Sequence, residues 1–401
     1  LSQFHFDFLC NSFDPVAYED EIHAMGGRTV HFTSRRQNPI RFQKELEAFF
    51  QKHANEYQAV WVNVNSLANI DYLKMAKKYG IPKRIIHSHN AQNMDTKLRG
   101  MLHEANRGTV GKYATDFWAC SDYAARWFYA GRSGKGALRH PVVVVRNAID
   151  VEKIQAGREK RAQIRRSLGW EDAFILACVG RLHFQKNQKF AVDVLAELLP
   201  SMPDARLLLV GQGEDEAMLR AHVKVRGVKE NVCFAGVVED VPPYLGASDF
   251  FLFPSVFEGL GIAGLEAQAA GLPTLASKGP IPEEIAVTDL LQFCPLEAGA
   301  AAWAARVRKM RKEMASGQEG LIEKPHAGAD SEPMTGFESP AACGRPMPGA
   351  LGKTGKDSSA PDKAGGDLLF KKIRNAFVEK GYDSATEVRR LEALLRGNVS
   401  R

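Results

Sequence analysis

Apolar positions arrive in two rhythms that alternate along most of this chain. Short runs rich in β-branched and aromatic residues read as strands: Phe4–Cys10, Arg28–Phe32, Ala59–Asn63, Arg84–His87, Phe117–Cys120, Val142–Val145, Phe174–Val179, Arg206–Val210, Val232–Phe234 and Phe250–Phe253. Many are apolar throughout, as strands covered on both faces must be. Between them, stretches such as Ile40–Lys52 and Leu67–Tyr79 repeat apolar residues every three or four positions, the mark of an amphipathic helix. Alternation of the two predicts parallel α/β units.

The series breaks near residue 150, where Asn147-Ala-Ile-Asp150 leads into a charged helical stretch and a new βαβ series starts at Phe174. Two Rossmann-like domains are expected, over 1–150 and 151–314. From 315 to 366 the chain is rich in Gly, Pro, Ser, Ala and Lys and poor in large apolar residues. Such a composition cannot fill a core, so a disordered insertion is expected there. Residues 367–401 return to helical pattern and complete the fold. Ser384-Ala-Thr-Glu387 carries the spacing of a capping box for a last helix ending near Arg396.

The 401 residues suffice for two domains with sizeable cores, and 45% apolar with 25% charged residues is ordinary for a globular protein. No apolar run reaches the length of a membrane span. Six cysteines are scattered without a CxxC pair, several in apolar runs, which argues for buried thiols in a reducing compartment over a disulfide or metal framework. The net charge of +6 is concentrated in Arg35-Arg36 and in Arg158–Arg166, where a solvated helix face is the ordinary explanation. The chain opens on Leu1, directly on a strand, so an upstream segment is expected to be missing.

The densest chemistry lies in Phe253-Pro-Ser-Val-Phe-Glu258-Gly-Leu-Gly-Ile-Ala-Gly-Leu-Glu266, where two glutamates flank seven residues. A strand runs into a glycine-bearing loop and then into a helix whose first turn is expected to carry Glu266. Ligands bind at such strand ends in α/β sheets. A helix start offers unpaired N–H groups to an anion, and Gly259 and Gly261 allow close approach. Carboxylates on either side can accept from sugar or ribose hydroxyls. Each glutamate alone also fits a plainer account, Glu258 as a solvated loop residue and Glu266 as a helix-start acid favoured by the macrodipole.

A second loop, Gly180-Arg181-Leu-His-Phe-Gln-Lys186-Asn187, follows the strand Phe174–Val179. Arg181 supplies a planar fork and Lys186 a point charge, suited to a diphosphate; a solvated basic loop is the alternative. Gly211-Gln-Gly213 follows a third strand but lacks the last glycine of a dinucleotide fingerprint, because Glu214-Asp-Glu216 comes next. In the first half, Ile85-Ile-His87-Ser-His89-Asn90 places two histidines at a strand end, with no carboxylate or cysteine at ligand spacing. No Asp-x-Asp occurs, so a metal-held diphosphate is not indicated.

In order and spacing, these motifs resemble the retaining glycosyltransferases of family 4, which have the GT-B fold: two Rossmann-like domains facing across a cleft. The glutamate pair is similar to that family's E-x7-E motif. Phe6-Asp-Phe-Leu9, Glu21–Gly27, His87–Asn90, Ala119–Asp122, Arg146–Asp150 and Gly381-Tyr-Asp383 resemble bacterial enzymes of exopolysaccharide and capsule assembly. The resemblance covers about residues 4–314 and 368–396. It implies transfer of a sugar from a nucleotide-diphosphate donor to a glycan or lipid-linked acceptor, with retention at the anomeric carbon and without a metal or other cofactor. It further implies a cytoplasmic enzyme, with peripheral association at the inner membrane face allowed and no nucleic-acid partner.

The resemblance also assigns roles. Glu266 would bind ribose hydroxyls and Glu258 sugar hydroxyls near the reacting carbon. Gly180, Arg181, Lys186 and the Gly259-Leu260-Gly261 backbone would hold the diphosphate. The base would lie near Gly236–Val238, and His89 would approach the sugar from the first domain. The chain departs from the family at three points. No initial strand with its Gly-Gly loop precedes Phe4, which predicts a truncated first domain. Arg146 stands where a proline is usual, and 315–366 is not a family feature. A nucleotide-sugar epimerase on the same scaffold and a non-catalytic nucleotide-sugar-binding fragment are the alternatives.

Overall fold

The computed structural model describes residues 4–14, 16, 18–90, 96–131, 137, 139–317 and 363–397. These fall into two compact units, Leu1–Arg146 with Glu387–Arg401, and Asn147–Thr386. The division comes four residues before the expected boundary. The expected insertion lies outside the described residues except at its ends, where helix Gly299–Gly317 runs in and helix Lys363–Glu379 begins.

In the first unit, β1 (Phe8–Cys10) and β2 (Thr29–His31) form a parallel pair. Strands β3 (Ala59–Val64), β4 (Lys83–Ser88), β5 (Asp116–Ala119) and β6 (Val142–Val144) form a parallel sheet in that order. Helix Pro39–His53 buries Phe42, Leu46 and Phe50, residues four apart on one face, against Phe32, Ala76 and Ile81. Its start is set by Asn38, whose side chain accepts from Arg41 N–H at 3.0 Å, with Pro39 at the first helical position.

The second unit holds one six-stranded parallel sheet: β7 (Phe174–Val179), β8 (Ala205–Val210), β9 (Val232–Gly236), β10 (Phe250–Phe253), β11 (Thr274–Ser277) and β12 (Leu291–Cys294). The spatial order is β12-β11-β10-β7-β8-β9. The chain therefore builds outward from β7 through β8 and β9, returns to the other side of β7 with β10, and builds outward again. The point where direction reverses lies between β7 and β10, where α/β sheets place their ligand crevice. Both strands are buried along nearly their whole length, consistent with their unbroken apolar sequence.

The last helix corrects two expectations. Ser384–Arg396 is helical, but its cap is Asp383, whose carboxylate accepts from Thr386 N–H at 3.1 Å. Glu387, expected to complete a capping box, instead accepts from Arg146 N–H at 3.3 Å and pairs with Arg390. From Glu387 onward the helix belongs to the first unit, because Leu391, Leu394 and Leu395 pack on Ile85, Trp118 and Val145.

Candidate functional site

Two loops meet at the reversal point. The first leaves β7 through Gly180 and Arg181 and reaches Lys186. The second leaves β10 through Pro254 and Ser255 to Glu258 and helix Ile262–Ala269. Hydrogen bonds join them throughout: Val256 N–H donates to Gln185 O at 2.8 Å, the Gln185 amide to Phe257 O at 3.1 Å, and the Asn187 amide to Pro254 O at 3.2 Å. Glu258 N–H donates in turn to Pro280 O at 3.0 Å, tying the loop to the segment after β11. Asn187 takes φ 54°, a left-handed conformation that asparagine tolerates better than most residues, at the start of helix Gln188–Leu198.

Within this frame Lys186 Nζ stands 2.7 Å from Glu258 Oε1. Glu258 is 6% exposed, so it is not the solvated loop residue that the plainer account of it allowed. A carboxylate so buried needs a cation, and Lys186 supplies it. The Lys186 ammonium also lies 5.7 Å from the Phe253 ring centroid, within cation–π reach.

Glu266 does not sit where the sequence suggested. The helix begins at Ile262, so Glu266 is its fifth residue, and the first turn holds no acid. Macrodipole stabilisation acts within the first turn and does not account for it. Its carboxyl is half-buried without a hydrogen-bond partner among the described residues. Burial pushes its pKa up to about 6, against the opposing pull of the Lys186 charge. Lys186 thus influences both glutamates. A half-buried acid with unused acceptor capacity at a strand-end crevice is suited to receiving hydroxyl donors.

Gly261 precedes the helix with φ 102°, a conformation L side chains rarely adopt, and a Cβ there would stand 3.0 Å from the Phe253 ring. No side chain caps this helix start. The N–H groups of Leu260 and Gly261 make no hydrogen bond among the described residues, which leaves donors at the mouth of the crevice. Leu260 is buried, as is Gly259.

Arg181 extends from the other loop with its side chain 67% exposed, paired with Glu214 at 2.8 Å. Gly180 forms the turn between β7 and Arg181 and lies against the Lys186 stem. At the end of β9, Val238 packs partly on the cluster of Ile164, Ile175 and Tyr244, and its neighbour Val237 is exposed.

His89 belongs to the first unit, after β4. Its Nε2 meets Asn63 Oδ1 at 2.8 Å, and its ring centroid lies 4.1 Å from that of His87. Burial pulls the His89 pKa down to about 4 and, together with the neighbouring ring, that of His87 to about 3. Both imidazoles are therefore neutral near pH 7. The structure gathers Gly180, Arg181, Lys186, Glu258–Gly261 and Glu266 at one sheet edge; His89 stands in the other unit.

The sequence reading missed several residues here. Glu214 entered it only as a break in the glycine fingerprint. Gln185 and Asn187 flank Lys186 and carry no charge to mark them. Gln268, fully buried in the site helix, holds Val287 and Thr288 N–H at 3.0 Å each and donates to Gly264 O and Ile285 O at 2.9 and 2.8 Å. A glutamine set among the alanines of Ala267–Ala270 was the available signal. Among the described residues, no three His, Cys, Asp or Glu side chains form a metal-holding group, and no helix is long and apolar enough to cross a membrane. Cys10, Cys178 and Cys294 are free thiols.

Two units built on parallel sheets, with Arg181, Lys186, Glu258 and Glu266 at the reversal point of one, have the architecture of a GT-B glycosyltransferase. A glycosyltransferase from Rickettsia africae shares the fold with a TM-score of 0.68 at 12% identity, over 98% of this chain and 89% of that one. Anabaena HepE, solved in complex with UDP-glucose, superposes with a TM-score of 0.60 at 19% identity, over 77% and 90%. Residues 160–316 match the model of the glycosyl transferases group 1. EpsF of Bacillus subtilis, named as a glycosyltransferase, is 30% identical over 286 residues, 69% of this chain and 72% of that protein. The chain belongs to the group 1 glycosyltransferases.

Proposed function

We propose that the protein moves a hexosyl group from a nucleotide-diphosphate sugar to a glycan or lipid-linked acceptor, with retention at the anomeric carbon, in exopolysaccharide or capsule assembly. The observation that carries the reading is the Lys186–Glu258 contact of 2.7 Å beside half-buried Glu266. One cation is shared between an acid placed for the sugar and an acid placed for the ribose. The name of EpsF supports the reaction class, and the UDP-glucose bound to HepE supports the donor class.

In this reading, Arg181, Lys186 and the N–H groups of Leu260 and Gly261 receive the diphosphate. Glu258 accepts from sugar hydroxyls, Glu266 from the ribose, and the base lies beside Val238. The bond from the anomeric carbon to the diphosphate oxygen breaks with its electron pair on the diphosphate. The acceptor hydroxyl oxygen bonds to that carbon on the same face, and its proton passes to the departing phosphate oxygen. No cofactor is required. Stabilising the charge that develops on the leaving group is then the main catalytic term. His89 is assigned to the sugar from the first unit. A cytoplasmic site of action, at the inner membrane face, follows from a lipid-linked acceptor.

A mass-spectrometric screen of nucleotide sugars, with and without glycan and lipid-linked acceptors, tests the reading. Product should form only with acceptor, with the donor's anomeric configuration by NMR. Conversion of the donor sugar without acceptor would point to an epimerase, and wild-type turnover by Glu266→Ala would sink the assignment.

A further inference from the structure

We propose that Glu214 competes with the donor's diphosphate for Arg181, weakening nucleotide binding and speeding release; this rests on the donor-site reading above. Glu214, its side chain 50% exposed, follows β8, and its backbone is held beside the loop after β7. Leu182 N–H donates to Gln212 O at 3.0 Å, and Asp215 N–H donates to Leu182 O at 3.1 Å. The loops touch so closely at Gly213 that a Cβ there would stand 2.1 Å from Leu182 O. Glu214 is thereby fixed with one carboxylate oxygen 2.8 Å from Arg181 and the other 3.3 Å from His183 Nε2.

Its own backbone N–H, with help from Arg181 and His183, keeps the carboxyl below the usual carboxylate range, so it is ionised at neutral pH. Lys186 is likewise paired, with Glu258. The two cations of the crevice are therefore matched by two carboxylates. An arriving diphosphate meets a neutralised site instead of one carrying two uncompensated positive charges. Glu258 has a sugar to bind. Glu214 lies on the loop of a different strand and, as placed, pairs with Arg181 and His183. Whether the diphosphate displaces Glu214 or shares the guanidinium with it, the nearby negative charge disfavours the bound anion, so the sign of the effect is the same.

Exposed pairs of this kind change affinities modestly, so Glu214→Gln is expected to tighten binding about two- to fivefold. The gain should shrink as salt screens the charges. The test is calorimetric titration of UDP and GDP, with UMP and GMP as controls, into the full chain, its Glu214→Gln variant and its Arg181→Ala variant. Tighter diphosphate binding by Glu214→Gln at low salt, larger than any change for the monophosphate, is the expected result. Unchanged or weaker binding by that variant overturns the proposal. If Arg181→Ala binds like wild type, or wild type binds neither diphosphate, the donor-site reading fails and takes this inference with it. A loss in Arg181→Ala without a gain in Glu214→Gln overturns the inference alone.

Discussion

The Lys186 ammonium lies 2.7 Å from Glu258 Oε1, across 72 residues of sequence. This single contact joins the loops after β7 and β10 and neutralises a carboxylate that the fold buries. Lys186→Met should leave that carboxylate unmatched. The expected cost is about 2 kcal/mol, below the 3–5 of a fully buried pair because 21% of the Lys186 side chain remains exposed. Adding Glu258→Gln should recover at least half of it. Urea denaturation of the four proteins of the double-mutant cycle measures the coupling, and additive costs would show the pair to be independent.

Glu266 links function to stability through pH. Its folded pKa, about 6, lies above its ordinary value of 4.5, so the folded state holds its proton over that interval while the unfolded state has lost it. Stability from this group is therefore full below about pH 4.5 and falls as pH rises through 6. Glu266→Gln should stabilise the protein by about 1–2 kcal/mol at pH 7.5, and the gain should vanish near pH 4.5. Denaturation at both pH values reads the difference. Under the proposed function the same variant loses donor binding.

Gln268 braces the site helix against the segment before β12. Gln268→Leu would leave Thr288 N–H without its acceptor and Val287 N–H with Ile285 O at 2.8 Å, and would remove the amide donor to Gly264 O and Ile285 O. A loss of about 3 kcal/mol is expected, which lowers the melting midpoint of the second unit by roughly 6–12 °C. A shift under 2 °C in differential scanning calorimetry would mean that other groups take over these donors.

Gly261→Ala places a Cβ on backbone at φ 102° and against the Phe253 ring. The strain is about 1–2 kcal/mol, and relieving it moves the Leu260 and Gly261 N–H groups. If those groups hold the diphosphate, turnover should fall at least tenfold, more than the stability loss alone explains. Parallel measurement of kcat/KM and of the denaturation midpoint separates the two.

Much of the architecture was legible. The all-apolar runs Phe174–Val179 and Phe250–Phe253 could only be strands covered on both faces, and they are β7 and β10. Strands β11 and β12 were passed over because Thr274–Ser277 and Leu291–Cys294 mix polar with apolar residues, unlike the all-apolar Phe250–Phe253 of equal length. The capping box failed for a different reason. Asp383, one residue earlier, caps at least as well as Ser384, and Arg146 draws Glu387 away from any local role.

The sequence by itself determined which residues could serve a sugar donor. The glutamate pair, the Arg-Lys loop and the glycines are visible because phosphate and hydroxyl recognition demands those residue types at strand ends. The tertiary structure decided what each is doing. Sheet order, which local sequence does not encode, brings β10 beside β7 and so sets Lys186 on Glu258. Burial, which depends on all neighbours at once, raises Glu266 to about pKa 6. Loop contact puts Glu214 on Arg181, turning an apparent break in a motif into a charge partner.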